Sequence, residues 1–245
     1  MKIQLDEKMK NRLLIAGVFA LGLLLAGFFP GYYYYKTYKT NNSVTVKGLS
    51  EMNVKADLAV WNIKFNVVGN DMNVVQNKLG QQTGDVVAFL RQAGFEDVEI
   101  TIPAYNIVDK LAERYGSENT PTYRYIASQK MVVKSKNVDL VARSASNISM
   151  LGTKGILFEA SEYSSPVSYL FTDLNSIKPK MLEEATKNAK ESAEEFAKAS
   201  GSSVGRIRRA SQGVFSILPQ DEIGNEHDFV NKKIRVVSTI EYWLD

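Results

Sequence analysis

The sequence predicts an α+β domain, in which antiparallel sheets of paired strands pack with about three helices, preceded by one N-terminal transmembrane helix. Three observations support this fold class. The chain has one long uncharged apolar run near its N-terminus, several segments whose apolar and polar residues alternate, and three segments with apolar residues at helical spacing. Helices separated by pairs of strands favour antiparallel hairpins over a parallel sheet, which would place one helix after each strand.

The apolar run covers residues 13–29 and contains no charged residue. At the rise of an α-helix it spans about 26 Å, close to the roughly 30 Å hydrocarbon core of a bilayer. The tyrosines that follow Pro30 and Gly31 favour the headgroup level, where the ring is half buried and the hydroxyl stays hydrated. The predicted anchor residues are Leu13, Leu14, Ile15, Val18, Phe19, Leu21, Leu23, Leu24, Leu25, Phe28 and Phe29, and the predicted interfacial belt is Tyr32, Tyr33, Tyr34 and Tyr35.

Three interpretations of this run are open: an uncleaved signal anchor, a secretory signal that is removed, and a buried core helix. The signal anchor is favoured, because residues 26–30 (AGFFP) lack the small-residue arrangement of a cleavage site. Both leading interpretations export the rest of the chain.

Basic residues flank the run on both sides, with a modest excess that favours a cytoplasmic N-terminus. They are Lys2, Lys8, Lys10 and Arg12 before it, and Lys36, Lys39 and Lys47 after it. We therefore expect a single-pass protein of the cytoplasmic (inner) membrane. Residues 1–12 would be a short cytoplasmic N-terminus, 13–35 the anchor with its belt, 36–42 a spacer and 43–245 an extracytoplasmic or periplasmic domain.

The composition is that of a folded globular protein, with 44% hydrophobic and 23% charged residues. The formal net charge of +3 is small for this length and predicts no nucleic-acid partner. The chain has no cysteine, so an exported domain would be stabilised by core packing without disulfides. Thiol chemistry and lipid attachment to a cysteine are excluded for the same reason.

The pattern after residue 42 alternates between strands and helices. The predicted strands are 43–48, 55–68, 98–108, 123–133, 155–161, 166–172, 204–218 and 234–244, and the predicted helices are 71–93, 137–151 and 179–200. The strand 55–68 places Trp61, Ile63, Phe65 and Val67 on one face, and the first of these helices places Val75, Leu79, Val86 and Leu90 at helical spacing. Polar loops are predicted at 109–122 and 219–233.

The segment 179–200 shows the clearest helical pattern. Pro179 suits its first turn and Gly201 its C-terminal cap, and Glu183 and Lys187 are placed to pair on the hydrated side. An alanine-rich apolar stripe runs along the other side. Its predicted members are Leu182, Ala185, Ala189, Ala193, Phe196 and Ala197.

Three segments carry a family resemblance. They are SVTVKGLSEMNVKADLAVWNIKFNVVG at 43–69, MLEEATKNAKESAEEFAKASGSSVGRIRRAS at 181–211 and KKIRVVSTIEYWL at 232–244. Taken together, they resemble the SIMPL-domain family in their order and spacing. The resemblance covers residues 43–245. The chain departs from the usual pattern at Lys55-Ala56-Asp57, where many members carry Pro-Asp.

The resemblance implies an exported or membrane-anchored bacterial protein from a family of poorly defined function. Some members look like ring-forming or channel-like oligomers, and some are associated with envelope or oxidative stress. The family has no established catalytic residues. The resemblance therefore implies a homo-oligomer, which can be ring-like in this family. It also implies a non-enzymatic, stress-related role in the cell envelope through assembly or protein interaction. The alternative is a module that binds or senses a ligand or a peptide, and a hydrolase is the third option.

The hydrolase option depends on Gly201-Ser202-Ser203-Val204-Gly205, which matches the G-x-S-x-G nucleophile elbow. That elbow requires a strand before the serine and a helix after it, whereas here the predicted order is helix and then strand. The helix-cap interpretation is therefore favoured, and no catalytic residue is predicted.

The single histidine, His227, lies in an acidic stretch at 221–228 whose carboxylates could bind a divalent ion. Adjacent residues of one loop seldom converge on a point, so a solvated hairpin loop is favoured. Arg206, Arg208 and Arg209 form a basic cluster in which Arg206 and Arg208 would share a strand face. That face could meet anionic lipid or an acidic partner, although a solvated face is favoured. We predict no metal-binding or cofactor-binding residue and no cofactor.

Overall fold

The structure is a computed structural model that describes residues 7–39, 42–112, 122–159 and 165–245. In these residues it contains four α-helices and ten strands. The helices are α1 (Glu7–Lys39), α2 (Met72–Ala93), α3 (Val138–Asn147) and α4 (Leu174–Ala199). The strands are β1 (Ser43–Lys55), β2 (Leu58–Gly69), β3 (Ile100–Thr101), β4 (Asn106–Asp109), β5 (Tyr125–Ser135), β6 (Leu157–Phe158), β7 (Val167–Leu170), β8 (Val204–Gln212), β9 (Ser216–Pro219) and β10 (Asn231–Leu244).

The predicted fold class is confirmed. Antiparallel pairs join β2 to β5, β6 and β7, and β10 to β8 and β9. The helices α2, α3 and α4 are the three expected in the α+β domain, and α1 is the N-terminal apolar helix.

The chain divides into two compact units. The first unit comprises Met1–Leu49, Glu184–Gly213 and Val237–Asp245, and the second comprises Ser50–Glu183 and Val214–Val236. The elements β1, α4 and β10 each contribute residues to both units.

The second unit contains a six-stranded sheet of order β3-β5-β2-β6, with β4 paired to β5 and β7 paired to β2. Helices α2 and α3 pack against it. The predicted apolar face of β2 is confirmed, because its four residues are at most 3% exposed, and so are the four predicted core residues of α2. Burial of these side chains is the main source of stability of this unit.

Both ends of α2 follow the sequence prediction. The Asp71 carboxylate accepts hydrogen bonds from the backbone N–H groups of Asn73 and Val74, so it caps the first turn. Gly94 ends the helix at φ +107°, a left-handed conformation that glycine adopts without a steric penalty.

Two predicted strands are interrupted. The strand predicted at 98–108 forms β3 and β4 with Pro103 between them, because proline has no N–H for the ladder. The strand predicted at 204–218 forms β8 and β9, and the break begins at Gly213, which donates to the carbonyl of Val237 at 2.9 Å. Parts of the predicted loop 109–122 and strand 155–161 lie outside the described residues.

Helix α4 begins at Leu174, so Pro179 lies inside the helix and the prediction that it occupies the first turn is wrong. The physical reason is a contact distant in sequence. The Asp57 carboxylate accepts hydrogen bonds from the backbone N–H groups of Thr172 and Asp173 at 2.8–3.0 Å, and from the Thr172 hydroxyl at 3.1 Å. It therefore fixes the chain immediately before the helix.

We expect Asp57→Ala to lower the free energy of unfolding of the second unit by about 2 kcal/mol, because several hydrogen bonds to a charged group are lost together. Chemical denaturation of the full chain measures this effect. Asp57→Asn, which keeps one acceptor oxygen, should lower the free energy of unfolding by less. Equal losses in the two variants would contradict the assigned role of the carboxylate.

The first unit contains β8, the parts of β1 and β10 up to Leu49 and from Val237, and the C-terminal part of α4, and its strands lie in the order β1, β10, β8. Its core contains Val44, Ala189, Ala193, Ile240 and Tyr242. The four predicted alanines of α4 are at most 1% exposed, which confirms most of the stripe. Phe196 is 54% exposed and does not belong to the stripe, and Leu182 is only half buried. Lys187 pairs with Glu191 and not with the predicted Glu183.

Gly48 marks a close approach between β1 and α4. A Cβ atom built at this residue would lie 1.8 Å from the carbonyl oxygen of Ala185 and 2.6 Å from the backbone nitrogen of Ala189. The Asn188 side chain donates to the carbonyl oxygen of Leu49 at 2.8 Å and joins the same two elements. Only glycine fits this contact, because the neighbouring atoms belong to a helix backbone.

Candidate functional site

The N-terminal helix α1 contains one segment, Asn11–Tyr35, that is long and apolar enough to cross a membrane. It has 25 residues and a mean hydropathy of 2.4, and 0% of it is buried inside the protein. The last value contradicts the core-helix interpretation. A membrane anchor and a signal sequence both have this length and composition.

The predicted anchor and belt residues lie on this helix with their side chains exposed. The eleven anchor side chains are 46–72% exposed, and the four tyrosines of the belt are 53–73% exposed. The helix extends beyond the apolar run at both ends and continues through Pro30 to Lys39. Membrane helices tolerate an internal proline better than soluble helices do.

A short connection joins this helix to the folded part of the chain. Helix α1 ends at Lys39 and strand β1 begins at Ser43. An extended chain covers at most about 3.6 Å per residue, so Ser43 lies within about 14 Å of Lys39. The sheet of the first unit therefore begins close to the C-terminal end of the apolar helix.

The arginine cluster lies on β8, where the pairing with β10 is irregular. Arg209 pairs with Glu241, but the next pair is Ile207 with Tyr242, so Arg208 is an extra residue in the strand. In such a β-bulge two residues oppose one. Arg208 and Arg209 therefore both oppose Glu241.

A second irregularity follows in the same pair of strands. The pair after Ile207 and Tyr242 is Val204 with Leu244, so Gly205 and Arg206 both oppose Trp243. Glu241 and Trp243 are two residues apart and share a face of the sheet. The prediction that Arg206 and Arg208 share a face by regular alternation does not include these two bulges, which place Arg208 and Arg209 opposite Glu241 and Arg206 opposite Trp243.

Arg208 is the best-positioned of the three arginines. Its Nη1 donates to Glu241 Oε1 at 2.8 Å and to Ser43 Oγ at 3.2 Å. Its guanidinium also stacks over the ring of Trp243, 4.5 Å from the centroid. A cation over an indole ring is attracted by the ring quadrupole. The side chain is thus held at the first residue of β1.

The Glu241 carboxylate is stabilised in its charged form. Its pKa lies below the usual value, mainly because the Ser43 hydroxyl donates to Oε1 at 2.7 Å, and further because of the charges of Arg208 and Arg209. Glu241 therefore balances one of the positive charges around it.

We define the basic face as Lys47 of β1, the three arginines of β8, and Glu241 with Trp243 of β10. Lys47 shares the face of Ser43 by strand alternation and is exposed. In the described part of the chain, the side chains of Lys47, Arg206 and Arg209 form no ion pair. Val44 lies on the other face of β1 from Ser43 and Lys47, and it packs with α4. The basic face therefore lies on the opposite side of the sheet from that helix.

The residue at the centre of the G-x-S-x-G match, Ser203, lies between α4 and β8, in the order helix and then strand. Gly201 has φ +73°, and the Ser202 N–H donates to the carbonyl of Ala197, as at a glycine-capped helix end. The backbone of Ser203 exchanges hydrogen bonds with Asp245 in both directions, at 3.0 and 2.9 Å. These contacts assign Ser203 a structural role immediately before β8.

His227 lies in the second unit, in a short 3₁₀ turn between β9 and β10. Its Nδ1 is 3.3 Å from Glu226 Oε1. Nearby, the Lys232 ammonium donates to the carbonyl of Glu226, and burial lowers the pKa of this lysine from its usual value. No three metal-ligating side chains of the described residues come together here or elsewhere.

The same hairpin has a shallow recess of about 150 Å³ in the second unit. Pro219, Ile223 and Phe229 are among the residues that line it. Pockets for small ligands usually have about 300–1,000 Å³, so this recess gives little support to the ligand-binding alternative.

A family model matches residues 44–229, about three quarters of the chain, and it is described as SIMPL, a protein of unknown function (DUF541). The chain belongs to the SIMPL family. The match begins one residue into β1 and ends before β10. No curated protein matches the chain.

Within the matched region, the Asp57 carboxylate is the group that fixes the chain before α4. Sequence reasoning found the arginine cluster but missed Ser43, Glu241 and Trp243, because strand register and bulges bring them together. No local signal in the sequence marks either bulge.

Proposed function

We propose that this SIMPL protein is a single-pass protein of the cytoplasmic membrane, whose domain lies outside the cytoplasm and acts without catalysis, by assembly or protein interaction at the membrane surface. The observation that carries the proposal is the apolar segment Asn11–Tyr35 together with its short connection to β1. An uncleaved helix of this kind keeps the first unit permanently beside the membrane.

Homo-oligomeric assembly is the expected mode of action, since the resemblance to the family implies ring-like or channel-like oligomers. Tethering to a bilayer also favours assembly, because it confines the copies to two dimensions and raises their effective concentration. We expect the full-length protein, extracted in mild detergent and measured by native mass spectrometry, to have a mass that is a multiple of the single chain. A strictly monomeric protein at high concentration would contradict assembly.

The topology is testable because the chain has no cysteine of its own. Glu195→Cys on α4 and Lys8→Cys before the apolar run each place one thiol at an exposed residue. We expect a membrane-impermeant maleimide to label Glu195→Cys in spheroplasts, and Lys8→Cys only after lysis. The opposite pattern would overturn the orientation.

Membrane fractionation distinguishes an anchor from a removed signal. The full-length chain should remain in the membrane fraction after an alkaline wash. Release of a chain that has lost its N-terminal segment would show a cleaved signal and would exclude permanent anchoring.

A further inference from the structure

The basic face is the part of the first unit whose charge and position together indicate a ligand. It carries four basic residues, with the carboxylate of Glu241 on the opposing strand and that of Asp245 beside Gly205. Lys47, Arg206 and Arg209 form no ion pair in the described residues, so their charges are available to a partner.

The position of this face follows from the connection to α1. Arg208 Nη1 contacts the Ser43 hydroxyl at 3.2 Å, and Ser43 lies within about 14 Å of the end of α1. The tyrosine belt, which favours the headgroup level, ends at Tyr35 on the same helix, and Lys39 lies about 6 Å further along it. The guanidinium groups are therefore tethered within reach of lipid headgroups.

The chemistry of the face matches a phosphodiester. Arginine presents several N–H donors in a planar fork that suits phosphate oxygens, and it binds phosphate more directionally than lysine. Trp243, which lies among the arginines, has an apolar ring and one polar N–H, as do side chains that favour the membrane interface. We propose that the basic face binds the headgroups of anionic phospholipids in the leaflet next to α1.

This inference rests on the proposed anchoring by α1 and adds a specific orientation of the first unit on the bilayer. Each basic residue near an anionic surface favours association roughly fivefold, so the loss of two should reduce the ratio of docked to undocked protein roughly thirtyfold. The interaction should weaken in high salt, since the charges are exposed.

Trp243 provides the readout. The chain has two tryptophans, and the other, Trp61, is 1% exposed in the core of the second unit. We would reconstitute the full-length protein in lipid nanodiscs that contain phospholipids with a spin label on the headgroup. The discs would consist either of phosphatidylcholine alone or of phosphatidylcholine with phosphatidylglycerol. We expect stronger quenching of the tryptophan emission in the discs with phosphatidylglycerol, and loss of this difference in Trp243→Phe.

The decisive variant is Arg206→Gln/Arg209→Gln, which removes two unpaired charges and keeps the pair of Arg208 with Glu241. Its matched control is Lys187→Gln/Lys190→Gln, which removes the same charge from the exposed side of α4. We expect the arginine variant to lose the quenching that depends on anionic lipid and the lysine variant to retain it.

Four outcomes would overturn the proposal. They are equal quenching in both lipid compositions, equal losses in the two double variants, quenching that persists in Trp243→Phe, and an arginine variant that self-associates while its quenching is unchanged. The last would show that the bulges and arginines serve only to block pairing at the edge strand β8. A chain that fails to enter the discs would overturn the anchoring as well, whereas an inserted chain without lipid-dependent quenching would overturn this inference alone.

Discussion

Gly48→Ala is expected to lower the free energy of unfolding of the first unit by about 3 kcal/mol, the upper part of the range for overpacked sites. The added methyl group would lie 1.8 Å from the carbonyl oxygen of Ala185, and a helix backbone cannot move aside as a flexible side chain can. Strand β1 or helix α4 must therefore shift. Hydrogen exchange of the β10 amides in the full-length protein measures the loss.

The same substitution elsewhere in the chain provides the control. Gly80 and Gly84 lie inside α2, and apart from the adjacent part of that helix no atom lies within 4 Å of a Cβ built at either residue. Alanine at these sites should stabilise the second unit by about 0.5–1 kcal/mol each, because alanine is the better helix former. A Gly48→Ala protein as stable as the parent would show that β1 and α4 are further apart than described.

Phe65→Ala is expected to lower the free energy of unfolding of the second unit by about 3–5 kcal/mol. Phe65 is 0% exposed in the centre of β2, and its ring meets that of Phe158 edge to face, with centroids 6.2 Å apart. Truncation leaves a cavity that surrounding strands cannot close. Denaturant unfolding followed by the emission of the neighbouring core residue Trp61 measures the change.

Phe196→Ala makes the identical chemical change on the exposed side of α4, where the ring is 54% exposed. We expect its effect to stay within about 0.5 kcal/mol, as for most surface substitutions. A large loss of unfolding free energy in Phe196→Ala would show that Phe196 belongs to the apolar stripe, as the sequence pattern predicted.

Local patterns predicted the parts of the fold that depend on neighbouring residues. The alternation in β2, the helical spacing in α2 and the bounds of that helix are all confirmed, because each is decided within one turn or one strand. The apolar helix was also predictable, since length and hydropathy define it.

Features that depend on distant contacts were not predictable. The start of α4 is fixed by Asp57, which is 115 residues away from Thr172 in sequence. The requirement for glycine at position 48 comes from a helix that packs on it, and Arg208 reaches Glu241 and Trp243 through a register shift. No pattern within a single segment contains this information.

The interleaved order of the first unit has a consequence for biogenesis. Strand β10 lies between β1 and β8 in the sheet, although Ser43 and its partner Glu241 are 198 residues apart in sequence. While the ribosome or an export channel still holds residues 237–244, β1 and β8 have no strand to join them. Contacts of such long range form slowly, because a large loop must close first. The sheet of the first unit should therefore form only after β10 has emerged, and a premature stop before Val237 would leave β1 and β8 without the strand that joins them.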